Sequence, residues 1–316
     1  MIIDIHTHVG DLRRSDMMDR LPITWEGLIA RLDEERIDKA VFLPLGVSPE
    51  SLHGPFLFGP NPDIIGQLKT ARRYNDRIIS FGNLDPRMGC LGNLEPDQVG
   101  NPPQADFSWI IERFIELDCV GIGEVTANIA MDDPRMINMC RQCGSFGLPV
   151  LLHCTGPGRG VYGLYDEVGS PRLKTLLRQA ADTILIGHAP GFWAEISGNI
   201  KPENKFIYPR GPIETEGSLP ILLRTHANLY ADLSADSGFN AISRDREFGI
   251  RFLNEFQDRL LFGTDVCYGD EKGKMPTLRY LRDLLAENAI NRNVFDKITG
   301  RNALKILKLQ TFCKHG

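Results

Sequence analysis

Two histidines near the start of the chain, His6 and His8, have the residue type and spacing that bind metal ions. They close the run Met1–His8, whose apolar residues predict a buried β-strand. Residues two apart on a strand point to the same face, so both imidazoles can reach one ion. The pair alone also fits ordinary polar residues at the point where a strand leaves the core, because short motifs match by chance.

Four further polar residues lie at the carboxyl ends of predicted strands. Glu124 follows the fourth strand, His153 the fifth strand, His188 the sixth strand and Asp265 the eighth strand. Six desolvated polar groups in one place would cost several kcal/mol unless a cation compensates them. Imidazole and carboxylate ligands suit zinc, with manganese, iron or nickel as alternatives. The residues therefore predict a divalent metal centre of one or two ions.

Eight short apolar runs supply these strands. They do not alternate with polar residues, which is typical of parallel strands buried on both faces. The runs are Ile2–Ile5, Ala40–Leu43, Ile78–Phe81, Val120–Ile122, Val150–Leu152, Ile184–Ile186, Leu229–Leu233 and Leu260–Phe262.

Amphipathic stretches between the runs predict helices. They are Trp25–Ile37, Ser108–Leu117, Pro134–Ser145, Pro171–Ala181, Ser218–His226, Phe248–Phe256 and Thr277–Leu309, the last broken near Asn291 and Gly300. Eightfold strand–helix alternation predicts an α/β protein, a single-domain (β/α)8 TIM barrel over residues 1–316. An open doubly wound sheet is the alternative, but no GxGxxG motif follows the first strand.

Three long Gly- and Pro-rich insertions follow strands 2, 3 and 6, at Gly46–Asp63, Asp85–Asp106 and Ala189–Gly217. In a barrel these are βα loops at the face where active sites lie, so we expect them to cover the pocket and select the substrate. Three residues that follow strands 5, 6 and 8 are candidate substrate contacts: Arg159 for a carboxylate, and Trp193 and Tyr268 as pocket walls. A packed or solvated loop residue is the alternative for each.

Charge and composition limit the classes of binding partner that we expect. The net charge is −5, no Lys/Arg block stands out and no apolar stretch reaches about 18 residues, so neither nucleic acid nor membrane binding is expected. Seven irregularly spaced cysteines suit reduced thiols and a cytoplasmic location, and the pair Cys140 and Cys143 is interpreted as helix packing. A small-molecule substrate is expected, and a homo-oligomer is left open.

Over nearly its whole length the chain resembles the amidohydrolase superfamily, in particular its amidohydrolase-related (ACMSD-like) branch. The resemblance is carried by Asp4–His8, Leu151–His153, Gly187–Ala189, Phe262–Asp265 and Gly300–Leu304. It implies a metal held by His6, His8, His153 and Asp265, with His188 as a second ligand or a metal-adjacent acid.

Glu124 resembles the carboxylate that bridges two metals in some members of the superfamily. The alternative is an acceptor that orients a ligand imidazole.

The function that follows is metal-dependent hydrolysis of an amide, ester or lactone. The ion would lower the pKa of water toward about 7, Asp265 would carry its proton, and His188 or a second ion would polarise the carbonyl. A non-oxidative decarboxylase of an aromatic or unsaturated acid is the alternative. A metal-bound binding protein is disfavoured by the intact ligand set, and a nuclease by the absence of a basic cluster.

Overall fold

The computed structural model describes residues 1–11, 20–46, 63–89, 104–156, 161–270 and 276–309, in which strands and helices alternate. The strands are β1 (Ile3–Thr7), β2 (Lys39–Phe42), β3 (Ile78–Gly82), β4 (Cys119–Val125), β5 (Val150–Thr155), β6 (Leu164–Tyr165), β7 (Leu185–His188), β8 (Leu229–Asp232) and β9 (Leu260–Leu261). All eight apolar runs coincide with strands, and β6 was missed because two residues carry no pattern.

The sheet closes into a barrel of eight parallel strands. The order is β1-β2-β3-β4-β5-β7-β8-β9, with β6 paired to β5 outside this path. Closure joins the two ends of the chain, since Ile5 N donates to Phe262 O at 3.0 Å and Asp265 N donates to His6 O at 2.8 Å. The predicted (β/α)8 barrel is confirmed.

The helices pack around the barrel. They are α1 (Trp25–Glu35), α2 (Ile64–Ala71), α3 (Ser108–Glu116), α4 (Pro134–Ser145), α5 (Pro171–Gln179), α6 (Pro190–Trp193), α7 (Ser218–Thr225), α8 (Ala235–Ser243), α9 (Arg246–Glu255), α10 (Pro276–Ala286), α11 (Arg292–Asp296) and α12 (Asn302–Ile306). A π-helical turn at Lys297–Arg301 joins the last two, near the predicted break at Gly300. No helix in the described ranges has both the length and the apolar character needed to cross a bilayer.

Three helices, α2, α6 and α8, were not predicted. Helix α6 is a single turn within the third insertion. Helix α2 follows the first insertion directly and begins where the Asp63 side chain accepts a hydrogen bond from Gly66 N. Helix α8 is short and contains Ser, Gly and Asn, which are weak helix formers. In all three cases contacts with the rest of the fold, rather than local propensity, account for the helix.

The core has two layers that follow the alternation of side chains along the strands. Alternate residues such as Val41, Leu151 and Ile186 fill the barrel interior, together with Ala303 and Ile306 of α12. Their neighbours point outward and pack against the helices in a larger cluster. Cys140 and Cys143 are fully buried in that outer cluster, as expected of helix-packing residues.

A buried ion pair lies within the loop that follows β7. Lys205 Nζ contacts Glu195 Oε1 at 2.5 Å, and both side chains are only 3% exposed. Glu195 also accepts hydrogen bonds from Gly169 N and from Ser218 Oγ at 2.8 Å. The pair therefore ties this loop to the start of α7 and to the segment before α5.

Asp166, between β6 and α5, provides the cap that the first residues of α5 need. Ser170 precedes the helix but makes no side-chain cap, whereas the Asp166 carboxylate accepts from Arg172 N at 3.0 Å and Leu173 N at 2.8 Å. Burial raises the pKa of Asp166 to about 6, although these hydrogen bonds oppose the shift. The folded protein therefore holds a proton on Asp166 at pH values where the unfolded chain has lost it.

We expect this proton to make stability depend on pH. A folded pKa above the unfolded value means that the contribution is fully present below about pH 4 and is lost as the pH rises through about 6. The difference between the folded and unfolded pKa values corresponds to about 3 kcal/mol of folding free energy. When the free energy of unfolding is measured with urea from pH 4 to 7, it should change less with pH in Asp166→Asn than in the wild type. Asp258→Asn, at a carboxylate with 64% exposure, should leave the profile unchanged; equal slopes for all three proteins would contradict the assignment.

Candidate metal centre

The side chains of His6, His8 and Asp265 meet at the carboxyl end of the barrel. The two histidine Nε2 atoms lie 3.2 Å apart, and Asp265 Oδ1 lies 3.4 Å from His6 Nε2 and 3.3 Å from His8 Nε2. Donor atoms on one tetrahedral zinc ion lie roughly 3.4 Å apart, given bond lengths near 2.1 Å. The three residues, brought together from both ends of the chain, thus have the spacing of ligands to a single ion.

The hydrogen bonds of the two imidazoles leave their Nε2 lone pairs facing each other. His8 Nδ1 donates to Leu43 O at 2.9 Å, and His6 Nδ1 donates to Asp232 Oδ2 at 2.7 Å, so neither Nε2 of a neutral ring carries a hydrogen. With the Asp265 carboxylate beside them, these acceptors repel one another unless a cation is present. The donor set therefore fits a divalent metal ion.

The charges around His6 support this conclusion. Burial lowers the pKa of His6, but the carboxylates of Asp265 and Asp232 outweigh it and raise the pKa well above its usual value. Burial raises the pKa of Asp265, but the charges of His6 and His188 bring it below its usual value. The site thus favours positive charge at its centre.

Glu124, at the end of β4, lies beside the same centre. Its Oε2 is 3.7 Å from both His6 Nε2 and His8 Nε2, and its Oε1 is 3.7 Å from His188 Nε2. A second donor group is therefore formed by His6, Glu124 and His188. Burial raises the pKa of Glu124, but His153 and His6 outweigh it, so the pKa lies well below its usual value.

His153 differs from the other predicted ligands. Its Nδ1 hydrogen-bonds to Glu124 Oε1, and it belongs to neither donor group found among the described residues. The geometry places His153 next to the centre as a partner of Glu124. Its predicted role as a direct ligand stays a prediction.

Asp232 and Ser234, at and just after the end of β8, were missed in the sequence. Asp232 Oδ2 accepts from His6 Nδ1 and from Ser234 Oγ, at 2.7 Å each, and Ser234 Oγ lies 2.9 Å from His188 Nδ1. Burial raises the pKa of Asp232, but the charge of His6 and hydrogen bonds from His188 and His6 lower it overall. This carboxylate therefore fixes two imidazoles with their Nε2 atoms toward the centre. The sequence signal existed, because Asp232 also follows an apolar run.

Asp4 holds the first strand to the segment that carries Asp265. Its carboxylate accepts from Thr264 N at 3.0 Å and from Thr264 Oγ at 2.6 Å. Asp265 itself has φ 57°, a left-handed conformation that aspartate adopts more readily than most residues. The ligand segment is thus held in an unusual conformation by a buried partner, as is common at functional sites.

A cavity of about 370 Å³ is lined by five of the six predicted ligands, all except the fully buried His6. Its wall includes Tyr162, Tyr208, Tyr268 and Asp236. Tyr162 packs on His153 with ring centroids 4.6 Å apart. Tyr268 lines the cavity, as the sequence predicted. Tyr162 and Tyr208 were missed because irregular segments carry them, and Asp236 because it belongs to the unpredicted helix α8.

The prediction that Trp193 walls the pocket was wrong. The short helix α6 turns this side chain away from the cavity into the outer core, where it is 2% exposed and packs near Phe252. Its Nε1 donates to Asp232 O at 2.8 Å, so Trp193 supports the end of β8 from behind. Arg159 lies outside the described residues.

Comparisons with known proteins match the chain to one protein family and to solved structures of the same fold. The amidohydrolase family model (Amidohydro_2) matches residues 132–309. A comparison of the sequence with curated proteins finds no match. Among solved structures, the chain is similar to a probable 2-pyrone-4,6-dicarboxylic acid hydrolase from Acinetobacter baumannii with citric acid bound, at 12% identity, 97% coverage of this chain, 99% of that chain and a TM-score of 0.59.

Two further solved structures contain metal ions. An amidohydrolase from Burkholderia multivorans with bound zinc has 13% identity, 98% and 100% coverage and a TM-score of 0.59. A dihydroxybenzoic acid decarboxylase from Polaromonas sp. JS666, with bound manganese and the inhibitor 2-nitroresorcinol, has 16% identity, 98% and 97% coverage and a TM-score of 0.52. At these identities the likeness shows the shared barrel fold.

Proposed function

Because the chain belongs to the amidohydrolase family and is thus a metal-dependent hydrolase, we propose that it hydrolyses an amide, ester or lactone of a small carbonyl compound. The observation that carries this proposal is the facing pair of Nε2 lone pairs on His6 and His8, 3.2 Å apart beside the Asp265 carboxylate. The arrangement suits a bound cation, and it lies at the base of a cavity large enough for a small molecule.

We propose His6, His8 and Asp265 as ligands of one divalent ion. Glu124 and His188 offer donors for a second ion, and His153 either completes the coordination or orients Glu124 through its hydrogen bond. Zinc is the proposed metal, because the ligands are imidazoles and carboxylates. The zinc and manganese in structures of similar fold are consistent with a divalent metal.

A divalent ion supplies Lewis acidity and lowers the pKa of a water molecule toward about 7. Asp265 Oδ1 contacts His6 and His8, and Asp265 Oδ2, which contacts His188, accepts the proton of the attacking water and delivers it to the leaving group. His188 Nε2 lies 3.8 Å from that oxygen and is held in place through Ser234, so it can stabilise charge on the substrate carbonyl oxygen.

Decarboxylation is the second candidate. Asp265 is 21% exposed to the cavity, so the same carboxyl group could deliver a proton to a carbon atom that loses carbon dioxide. The similar fold of the manganese-bound decarboxylase is consistent with this alternative. Either reaction fits a small-molecule substrate. We place the enzyme in the cytoplasm, because the cysteines of the described residues are free thiols.

The test combines metal analysis with a reaction screen. Protein prepared without chelators should contain at least one divalent transition metal per chain, and chelation should abolish turnover. A screen of lactones, carboxylate esters, N-acyl compounds and aromatic acids, run with zinc and with manganese, should find hydrolysis. Carbon dioxide release without hydrolysis would favour the second candidate, and protein that takes up no metal would refute the proposal. Full activity with one ion per chain would remove Glu124 as a bridging ligand.

A further inference from the structure

Two residues of the cavity wall have no role in the proposed hydrolysis. Tyr208, in the loop after β7, and Asp236, in the first turn of α8, both line the cavity. Neither the Tyr208 hydroxyl nor the Asp236 carboxylate has a hydrogen-bond partner among the described residues. Both groups are therefore available to a ligand in the cavity.

The loop that carries Tyr208 is held by side-chain contacts on both sides of this residue. Before it, Lys205 is buried against Glu195. After it, Asn240 Nδ2 donates to Pro209 O at 3.1 Å and Arg244 Nη1 donates to Gly211 O at 2.9 Å. The position of Tyr208 in the wall is thus fixed by hydrogen bonds made by its neighbours.

Acidic and phenolic groups dominate this part of the wall. The described residues that line the cavity include no lysine or arginine. The nearby Arg20 packs over the Tyr268 ring at 4.6 Å and is bonded to Asp270 at 2.9 Å. Burial raises the pKa of Tyr208, with a further contribution from the charges of Asp236 and Asp265, so the phenol stays protonated and can donate.

We propose that Asp236 and Tyr208 form a specificity subsite in the cavity wall that binds a hydrogen-bond donor of the substrate, a protonated amine in particular. This inference rests on the proposed function and names a substrate class for the same pocket. The Asp236 carboxylate accepts from the substrate's N–H groups. The rings of Tyr162, Tyr208 and Tyr268 offer flat walls on which an unsaturated or aromatic body can pack.

A binding experiment tests the subsite independently of turnover. The probes are three benzohydroxamic acids, which anchor to a metal ion and differ only at the para position: aminomethyl, methyl or carboxyl. Calorimetry with the zinc-loaded protein should show the aminomethyl probe binding at least about 10-fold more tightly than the methyl probe, as expected for a charged hydrogen bond. The carboxyl probe should bind most weakly.

Variants of Asp236 and Tyr208 test whether these two wall residues cause the preference for the amine probe. Asp236→Asn should remove most of the preference for the amine, Asp236→Lys should reverse it in favour of the carboxyl probe, and Tyr208→Phe should weaken it by about 3-fold. The matched control is Glu247→Lys, the same charge reversal at the equivalent position in the first turn of α9, outside the cavity wall. It should keep the wild-type order of affinities.

The outcomes separate the subsite from the proposed function. Equal affinities for the three probes, or an unchanged order in both Asp236 variants, would overturn the subsite while leaving the metal centre intact. Failure of all three hydroxamates to bind the metal-loaded protein would overturn the subsite and the metal centre together. Absence of hydrolysis in the reaction screen, with the amine preference present, would overturn only the proposed reaction.

Discussion

Replacing Asp265 by asparagine is expected to lower kcat by about 10³-fold, within the range for loss of a general acid–base group. Asparagine keeps the shape of the side chain and tolerates the left-handed backbone at φ 57°. What it loses is the negative charge beside His6 and His8 and the ability to accept a proton from water. Steady-state kinetics on the best substrate of the screen, at saturating metal, would measure the effect, and elemental analysis would report whether metal is retained.

Asp118 provides a matched control for this variant. It is also an aspartate with a left-handed backbone, at φ 63°, but it precedes β4 at the opposite end of the barrel and its side chain is 68% exposed. Asp118→Asn should keep full activity and metal content. If Asp265→Asn retained more than a tenth of the wild-type kcat, Asp265 would have no part in proton transfer.

Replacing Lys205 by methionine is expected to lower the free energy of unfolding by about 3–5 kcal/mol, the range for breaking a buried ion pair. The reason is that Glu195 would stay buried with its charge uncompensated, since the remaining donors are Gly169 N and Ser218 Oγ. Urea unfolding followed by circular dichroism would measure the loss.

Two comparisons make the Lys205 result specific. The double variant Lys205→Met/Glu195→Gln should recover part of the loss, because a neutral amide oxygen can still accept from Gly169 N. Lys297→Met, which breaks a partly exposed pair with Asp258, should change stability by less than about 1 kcal/mol. A loss below 1 kcal/mol for Lys205→Met would show that the pair is not what holds the loop.

The barrel and most of the centre could be predicted because one physical rule governs both. Buried parallel strands require continuous apolar runs, and polar residues at the ends of such runs meet at one face. The rule located His6, His8, Glu124, His188 and Asp265. It was applied incompletely at Leu229–Leu233, where Asp232 was counted as part of an apolar run although it is the partner of His6.

Apart from Tyr268, the pocket wall could not be predicted, because side-chain direction in irregular segments is set by tertiary contacts. Trp193 and Tyr208 both belong to the insertion after β7, yet one enters the core and the other lines the cavity. No periodicity distinguishes them. Only the short helix α6 and the hydrogen bonds around Pro209 and Gly211 decide the two directions.

The hydrogen bonds between Asp4 and Thr264 join residues 260 positions apart in the chain. Closing a loop of that length costs about 5 kcal/mol of chain entropy, which makes this contact a late event in folding. His6 and His8 come from one end of the loop and Asp265 from the other, so the three ligands share no site until the loop has closed. A metal ion that binds them therefore selects the closed barrel and stabilises it by mass action.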